Sequence, residues 1–153
     1  MGSKSSLKNI TPTYFLKKGD EIKVSNNNKL NFLVDHKIKF TTSSFLNVFS
    51  GPEFSILKKD SLHNLFNKEF TIGINNRMAY NLTEQIQTKS KSIISSPVLP
   101  GTVQLTPSGN IIILHRDCQT TGGYSRILQL NEKSLNNLSQ LKNFDKIKFK
   151  LIK

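Results

Sequence analysis

Thr102-Val103-Gln104-Leu105-Thr106-Pro107-Ser108-Gly109-Asn110-Ile111-Ile112-Ile113-Leu114 decides the fold class. Two apolar, β-type runs, 102–105 and 111–114, flank a connection that contains a proline and a glycine, which predicts a β-hairpin. Similar short runs lie on both sides. Upstream, Phe70 to Ile74 alternates, and Phe45-Leu46-Asn47-Val48-Phe49 ends at Ser50-Gly51-Pro52. Further upstream, Phe32 to Phe40 is a candidate strand region and Asn26-Asn27-Asn28 a loop. Tyr14-Phe15-Leu16 and Ile22-Lys23-Val24 flank the turn signal Lys18-Gly19-Asp20. Downstream, Ile127 to Leu130 is a strand, and Lys146 to Ile152 alternates lysine with apolar residues as a half-exposed closing strand. Two helices interrupt the strands. One covers 59–67, with Leu62, Leu65 and Phe66 at helical spacing. The other starts at an Asn131 N-cap and runs to about Leu141, with Leu135, Leu138 and Leu141 on one face. Many short strands with two short helices predict a mainly β, α+β domain of barrel or sandwich type.

The chain has 153 residues, a length for one domain or one domain with an N-terminal arm. Its hydrophobic content is 36% and its mean hydropathy −0.34. No apolar run approaches the ~18 residues that a membrane span needs. Met1-Gly2-Ser3-Lys4-Ser5-Ser6 has no apolar stretch behind it, so a secretory leader is not expected. The single cysteine excludes an internal disulfide framework and a cysteine-cluster zinc site. The scattered His36, His63 and His115 argue against a histidine metal site. The expectation is a soluble, cytoplasmic protein without a metal.

The net charge of +12 invites a nucleic-acid reading. The pattern argues against it. Only Arg77, Arg116 and Arg126 are arginines, and the lysines spread from Lys4 to Lys153 with no run longer than two. A solvated lysine surface, with neither nucleic acid nor membrane as partner, is the expectation.

Three segments could carry chemistry. The densest is His115-Arg116-Asp117-Cys118-Gln119-Thr120-Thr121-Gly122-Gly123-Tyr124. Its paired glycines allow a sharp turn or a close backbone approach, and successive N–H groups there could form an anion-binding nest. Asp117 supplies a carboxylate, and Gln119, Thr120 and Thr121 supply neutral donors and acceptors. The set suits an amide, carboxylate or phosphate; it equally suits a tight connection that satisfies its own backbone. The second segment is Asn75-Asn76-Arg77-Met78-Ala79-Tyr80, where Arg77 at a strand end either clamps a carboxylate or is simply exposed. The third is Ser96-Pro97-Val98-Leu99-Pro100-Gly101-Thr102-Val103-Gln104, a stiff lead into a strand in which Gln104 faces a pocket or is an ordinary strand residue. Cys118 has the surroundings of an inert thiol, and His115, at a strand end, is expected to face solvent. Neither a Walker A loop nor a GxGxxG fingerprint is present.

Taken in order, Arg77-Met78-Ala79-Tyr80, Ser96 to Gln104, and Asp117 to Tyr124 resemble the biotin-dependent carboxyltransferase family. This is the allophanate hydrolase subunit 2 or Kip-antagonist type, and within it the C-type subunit of 5-oxoprolinase. Val48-Phe49-Ser50-Gly51-Pro52-Glu53 resembles the family strand that ends in Gly-Pro, and Leu138 to Phe149 resembles its terminal pattern. Ala79 stands where the family usually has glycine, and Ser125 where it usually has proline. Gly2-Ser3-Lys4-Ser5-Ser6 and Leu16-Lys17-Lys18-Gly19-Asp20 resemble segments that lie mid-chain in the family, whose first half has no counterpart here. The implied organisation is an N-terminal arm, 1–44, continuing from a missing upstream half, and a barrel domain, 45–153.

The resemblance implies a cyclophilin-like β-barrel. It implies part of an ATP-dependent complex that hydrolyses 5-oxoproline to glutamate, inactive alone. The implied partners are a Kip-inhibitor-like subunit (allophanate hydrolase subunit 1, or the B-type subunit of 5-oxoprolinase) and a hydrolase subunit. ATP would be used by the complex. Biotin would enter only if the chain served as the carboxyltransferase of a urea carboxylase. A third reading is a regulatory module that binds a Kip-inhibitor-like protein. On the 5-oxoprolinase reading, Asp117, Gln119 and Thr120 act on a lactam or amide, and Arg77, Gln104, Thr121, Gly122, Gly123 and Tyr124 hold it.

Overall fold

The computed structural model describes Lys18, Gly19, Glu21 and residues 43–88 and 91–152. The chain divides into two compact units, Met1–Ile38 and Lys39–Lys153. Of the first, a turn at Lys18 and Gly19 is described, with Gly19 at φ +100°. The strand regions expected around 14–16, 22–24 and 32–40, the loop at 26–28 and nearly all of the expected 1–44 arm lie outside the described residues.

The strands of the second unit are, in chain order, β1 (Phe45–Ser50), β2 (Phe70–Asn75), β3 (Ala79–Gln85), β4 (Ser96–Pro97), β5 (Thr102–Leu105), β6 (Asn110–Leu114), β7 (Thr121–Gly122), β8 (Ser125–Leu130) and β9 (Lys146–Leu151). All but β4 and β7 close a barrel, in the order β1-β8-β5-β6-β3-β2-β9 around the wall. Its neighbours are antiparallel except β1 and β9, whose parallel pairing closes the ring with Phe45 beside Lys148 and Asn47 beside Lys150. The hairpin expected from 102–114 is β5–β6, with Val103 opposite Ile113 and Leu105 opposite Ile111. Gly109, at φ +90°, turns it, and the Thr106 hydroxyl accepts from the Asn110 N–H at 3.0 Å.

Alternation sends one face of each strand into the core. Leu46, Val48, Phe70, Ile72, Val103, Leu105, Ile111, Ile113 and Ile147 have no solvent exposure. Helix α1 (Lys59–Asn67) brings Leu65 to this core. In α2 (Glu132–Leu138), the Asn131 side chain accepts from the Ser134 N–H at 2.8 Å, so the expected N-cap forms, and Leu135 and Leu138 are buried. The helix ends at Leu138 rather than near Leu141. There the bonds shorten to three-residue steps, Gln140 N–H to Asn137 O and Leu141 N–H to Leu138 O. This tighter winding still packs Leu141 on the core. Phe144 then turns the chain into β9 at φ +74°.

Strand β3 was not legible as a strand. Only Tyr80 and Leu82 of its residues are buried, and Glu84 is bonded by the Thr71 N–H and hydroxyl at 2.6 and 2.7 Å. The short strands β4 and β7 form a separate two-stranded sheet, with Ser96 opposite Gly122 and Pro97 opposite Thr121.

Candidate functional site

The nominated residues gather in two places. The first is the small β4–β7 sheet and the strand beneath it. Gln104 of β5 lies between Val103 and Leu105, which point into the core, so its side chain takes the other face of the wall. It is buried there, and its Nε2 has no hydrogen-bond partner among the described residues. Gly122 sits directly on it: a Cβ at that position would lie 2.5 Å from Gln104 Nε2 and 3.4 Å from Val98 Cγ1. A side chain at 122 would therefore have to displace the Gln104 amide. The anion nest expected from the glycine pair does not form. Gly122 is extended in β7, and neither it nor Gly123 has the positive φ that such a nest alternates with. Two backbone bonds extend the β4–β7 pairing, Ile93 N–H to Gly123 O at 2.9 Å and Val98 N–H to Thr120 O at 3.0 Å. Gln119, Thr120, Thr121 and Tyr124 are exposed, and their side chains are unbonded among the described residues.

The second place is the turn after β6. Arg77 donates bidentately to Asp117, Nε to Oδ2 at 2.5 Å and Nη2 to Oδ1 at 3.0 Å. The Asp117 N–H also bonds the Arg77 carbonyl at 2.9 Å. The carboxylate that Arg77 holds in this structure is thus the chain's own. The guanidinium keeps the Asp117 carboxyl below the usual aspartate range, so it is ionised at neutral pH and unsuited to donate a proton. Both side chains face solvent.

His115 does not face solvent as expected. The turn folds it under, its ring packs on Tyr80 at a centroid distance of 5.3 Å, and neither ring nitrogen is in hydrogen-bond geometry with a described residue. Burial lowers its pKa, Arg116 pushes the same way, and the Arg77 carbonyl acts in the opposite direction. The imidazole is neutral at pH 7. Burial pushes the Cys118 thiol up, the direction of an unreactive cysteine.

Sequence reasoning missed Glu53 and Arg126. Arg126 stands across from Gln104. It donates from Nε and its backbone N–H to Glu53 Oε2 at 2.9 and 2.8 Å, and from Nη2 to Oε1 at 2.7 Å. Its Nη1 bonds the Pro97 carbonyl at 2.9 Å, tying β4 to the barrel. Each is a lone charge in an apolar stretch, and only the tertiary contact marks them.

An open groove of about 700 Å³ lies at the hairpin end of the barrel, away from Arg77. Ile56, Lys58, Ser61, Gln87 and Ser108 are among its lining residues, and it includes none of the nominated ones. Strand β6 runs from that end, where Asn110 pairs with Gln85, to Leu114, which pairs with Ala79 beside Arg77. No cluster of three or more His, Cys, Asp or Glu placed to hold a metal occurs among the described residues. No helix among them is long and apolar enough to cross a membrane.

Comparison with known proteins converges on one family. Residues 1–151 match the family described as carboxyltransferase domain, subdomain A and B. The chain is 29% identical to the C-type subunit of 5-oxoprolinase from Escherichia coli K12 over 129 residues, which is 82% of this chain and 42% of that protein. It is 33% identical to the same subunit from Haemophilus influenzae Rd over 105 residues, 67% of this chain and 34% of that protein. It therefore spans well under half the length of either relative. The crystal structure of the Kluyveromyces lactis urea amidolyase superposes with a TM-score of 0.68 at 20% identity, over 76% of this chain and 8% of that one, and shares the fold. This agrees with the barrel and two helices expected of a cyclophilin-like domain. The chain belongs to the carboxyltransferase-domain family.

Proposed function

We propose that this chain is part of a 5-oxoprolinase-type subunit, acting with a Kip-inhibitor-like subunit and a hydrolase subunit to open 5-oxoproline to glutamate at the expense of ATP. Its relatives in E. coli and H. influenzae are named as 5-oxoprolinase subunits. The observation that carries the site is the stacking of Gly122 on the unpartnered amide of Gln104. It puts a neutral donor directly beneath the segment that carries Gln119, Thr120 and Thr121, and an amide donor suits a lactam carbonyl. In this reading those groups polarise the carbonyl electrostatically, without a covalent intermediate on the chain. Arg77 offers its guanidinium to the substrate carboxylate by exchanging it for Asp117. ATP in this reading is used by the complex, and the Gly122-Gly123 backbone, without a positive φ, is given no part in holding its phosphates.

The test is reconstitution of the three-subunit enzyme with Arg77→Ala and Gln119→Ala. Both should lose most 5-oxoproline turnover. Normal turnover by both would remove the site. A urea carboxylase role, with carboxybiotin as the donor, is the competing reading favoured by the family description. Urea-dependent decarboxylation of carboxybiotin by the assembled protein would select it.

A further inference from the structure

The contacts around Gln104 distinguish two limbs of the small sheet. The β4 limb is moored to the barrel: Arg126 Nη1 bonds the Pro97 carbonyl at 2.9 Å, Gln129 Nε2 bonds the Pro100 carbonyl at 2.9 Å, and the Thr102 hydroxyl accepts from the Leu99 N–H at 3.1 Å. The β7 limb is held to β4, through the Val98–Thr120 and Ile93–Gly123 bonds and a two-residue pairing. It also rests on the wall, with Gly122 against Gln104. That contact leaves Nε2 without an acceptor among the described residues, a state that buried amides seldom keep without a role. Val98 and Leu114, both buried, sit outside the main core cluster.

We infer that the β7 limb, Gln119 to Gly123, is a movable cover over a binding site. When Gly122 leaves, Gln104 Nε2 donates to the carbonyl or carboxylate oxygen of a small amide or lactam. Val98 and Leu114 supply the apolar floor. The absence of a side chain at 122 lets the empty site shut, and the cover turns an unpaired buried donor into a paired one only when a ligand enters. The inference rests on the proposed function for the identity of the physiological ligand, but not for the cover.

The experiment follows the Gln104 side-chain NH2 resonance of the 15N-labelled full chain during titration with 2-pyrrolidinone and, separately, 5-oxoproline. Both should shift it. Gln104→Met, which keeps the length and removes the donor, should weaken binding about tenfold, read from the Gly122 and Gly123 amide resonances. Pro97→Cys with Thr121→Cys, in a Cys118→Ser background, joins the limbs; the oxidised variant should show no shift at ligand concentrations where the reduced one, its affinity already lowered by loss of the Thr121 hydroxyl, still shifts. Unmoved Val103 and Ile113 amide resonances would show that the barrel is intact in each variant. No shift with either ligand in the wild type, or equal binding by the oxidised and reduced double-cysteine variant, would overturn the inference. A shift with 2-pyrrolidinone and none with 5-oxoproline supports the covered site and removes the 5-oxoprolinase reading instead.

Discussion

The inside of the barrel and the layer over its outer wall are built by different rules, and β5 shows both within three residues. Val103 and Leu105 point inward among Ile111, Ile113 and Ile127, without exposure and without polar atoms to satisfy. Gln104, between them, points outward beneath Gly122 with an unpartnered amide nitrogen. Inside, burial of apolar area does the stabilising. Outside, the contacts are ion pairs, two-residue strands and polar groups left open. The same strand thus turns a purely apolar face inward and an unsatisfied amide outward, so the outer layer carries a group that the core could not tolerate.

The largest expected effect tests the interior. Phe70 is fully buried and packs against Phe149 at 5.6 Å. Phe70→Ala should cost about 3–5 kcal/mol in urea denaturation. A loss under about 1 kcal/mol would mean that the wall, not the core, holds the barrel.

Next comes the Glu53–Arg126 pair, the outer-layer contact nearest to the interior in character. Glu53→Gln should cost about 1.5–3 kcal/mol, because Arg126 would keep its burial and lose its charged partner. The pH dependence gives the sign. Hydrogen bonding from Arg126 lowers the Glu53 pKa, against partial desolvation. Its contribution is therefore complete above the ordinary glutamate value and is lost as pH falls through the lower, folded value. Stability of the wild type should drop across that acid window more steeply than that of Glu53→Gln. Parallel curves would place the pair among ordinary surface contacts.

A smaller effect belongs to a feature that the sequence announced. Asn131→Ala should cost about 1 kcal/mol by removing the cap of α2, and urea midpoints measure it. The legibility of that cap explains where sequence reasoning works. The 102–114 hairpin, the helix at 59–67, the strand from Phe45 and the strand at Lys146–Leu151 all have local causes: alternation, helical spacing, or a turn residue next to an apolar run. β3 was missed because its alternation rests on Tyr80 and Leu82 alone. α2 overran because Leu141 keeps the helical spacing although three-residue bonds have replaced the helix. The nominated site residues were found as a segment, but their grouping was not. Nothing local tells that Gly122 lands on Gln104, that His115 turns under Tyr80, or that Glu53 meets Arg126 across 73 positions.

The smallest expected effect on stability falls at Arg77 and Asp117, and there the comparison becomes a question about function. The geometry is bidentate, yet the side chains are 80% and 48% exposed. Water and salt screen such a pair, so its worth to folding is slight. Arg77→Ala and Asp117→Asn should each leave the melting temperature nearly unchanged, and a double-mutant cycle in about 1 M salt should show no coupling. The titration of Asp117 should nevertheless move. Its carboxyl lies below the ordinary aspartate value because of the Arg77 hydrogen bonds, and carbon NMR of that carboxyl should show Arg77→Ala returning it upward. By linkage, the hydrogen bonds that lower the carboxyl's titration favour the folded state by a matching amount, so a slight effect in the melt goes with a slight shift in the titration. If a substrate carboxylate exchanges with Asp117 at Arg77, as proposed, a pair this weak costs little to open. If Asp117 titrates at the ordinary value in the wild type, the pair is not formed in solution, and Arg77 is a free surface arginine.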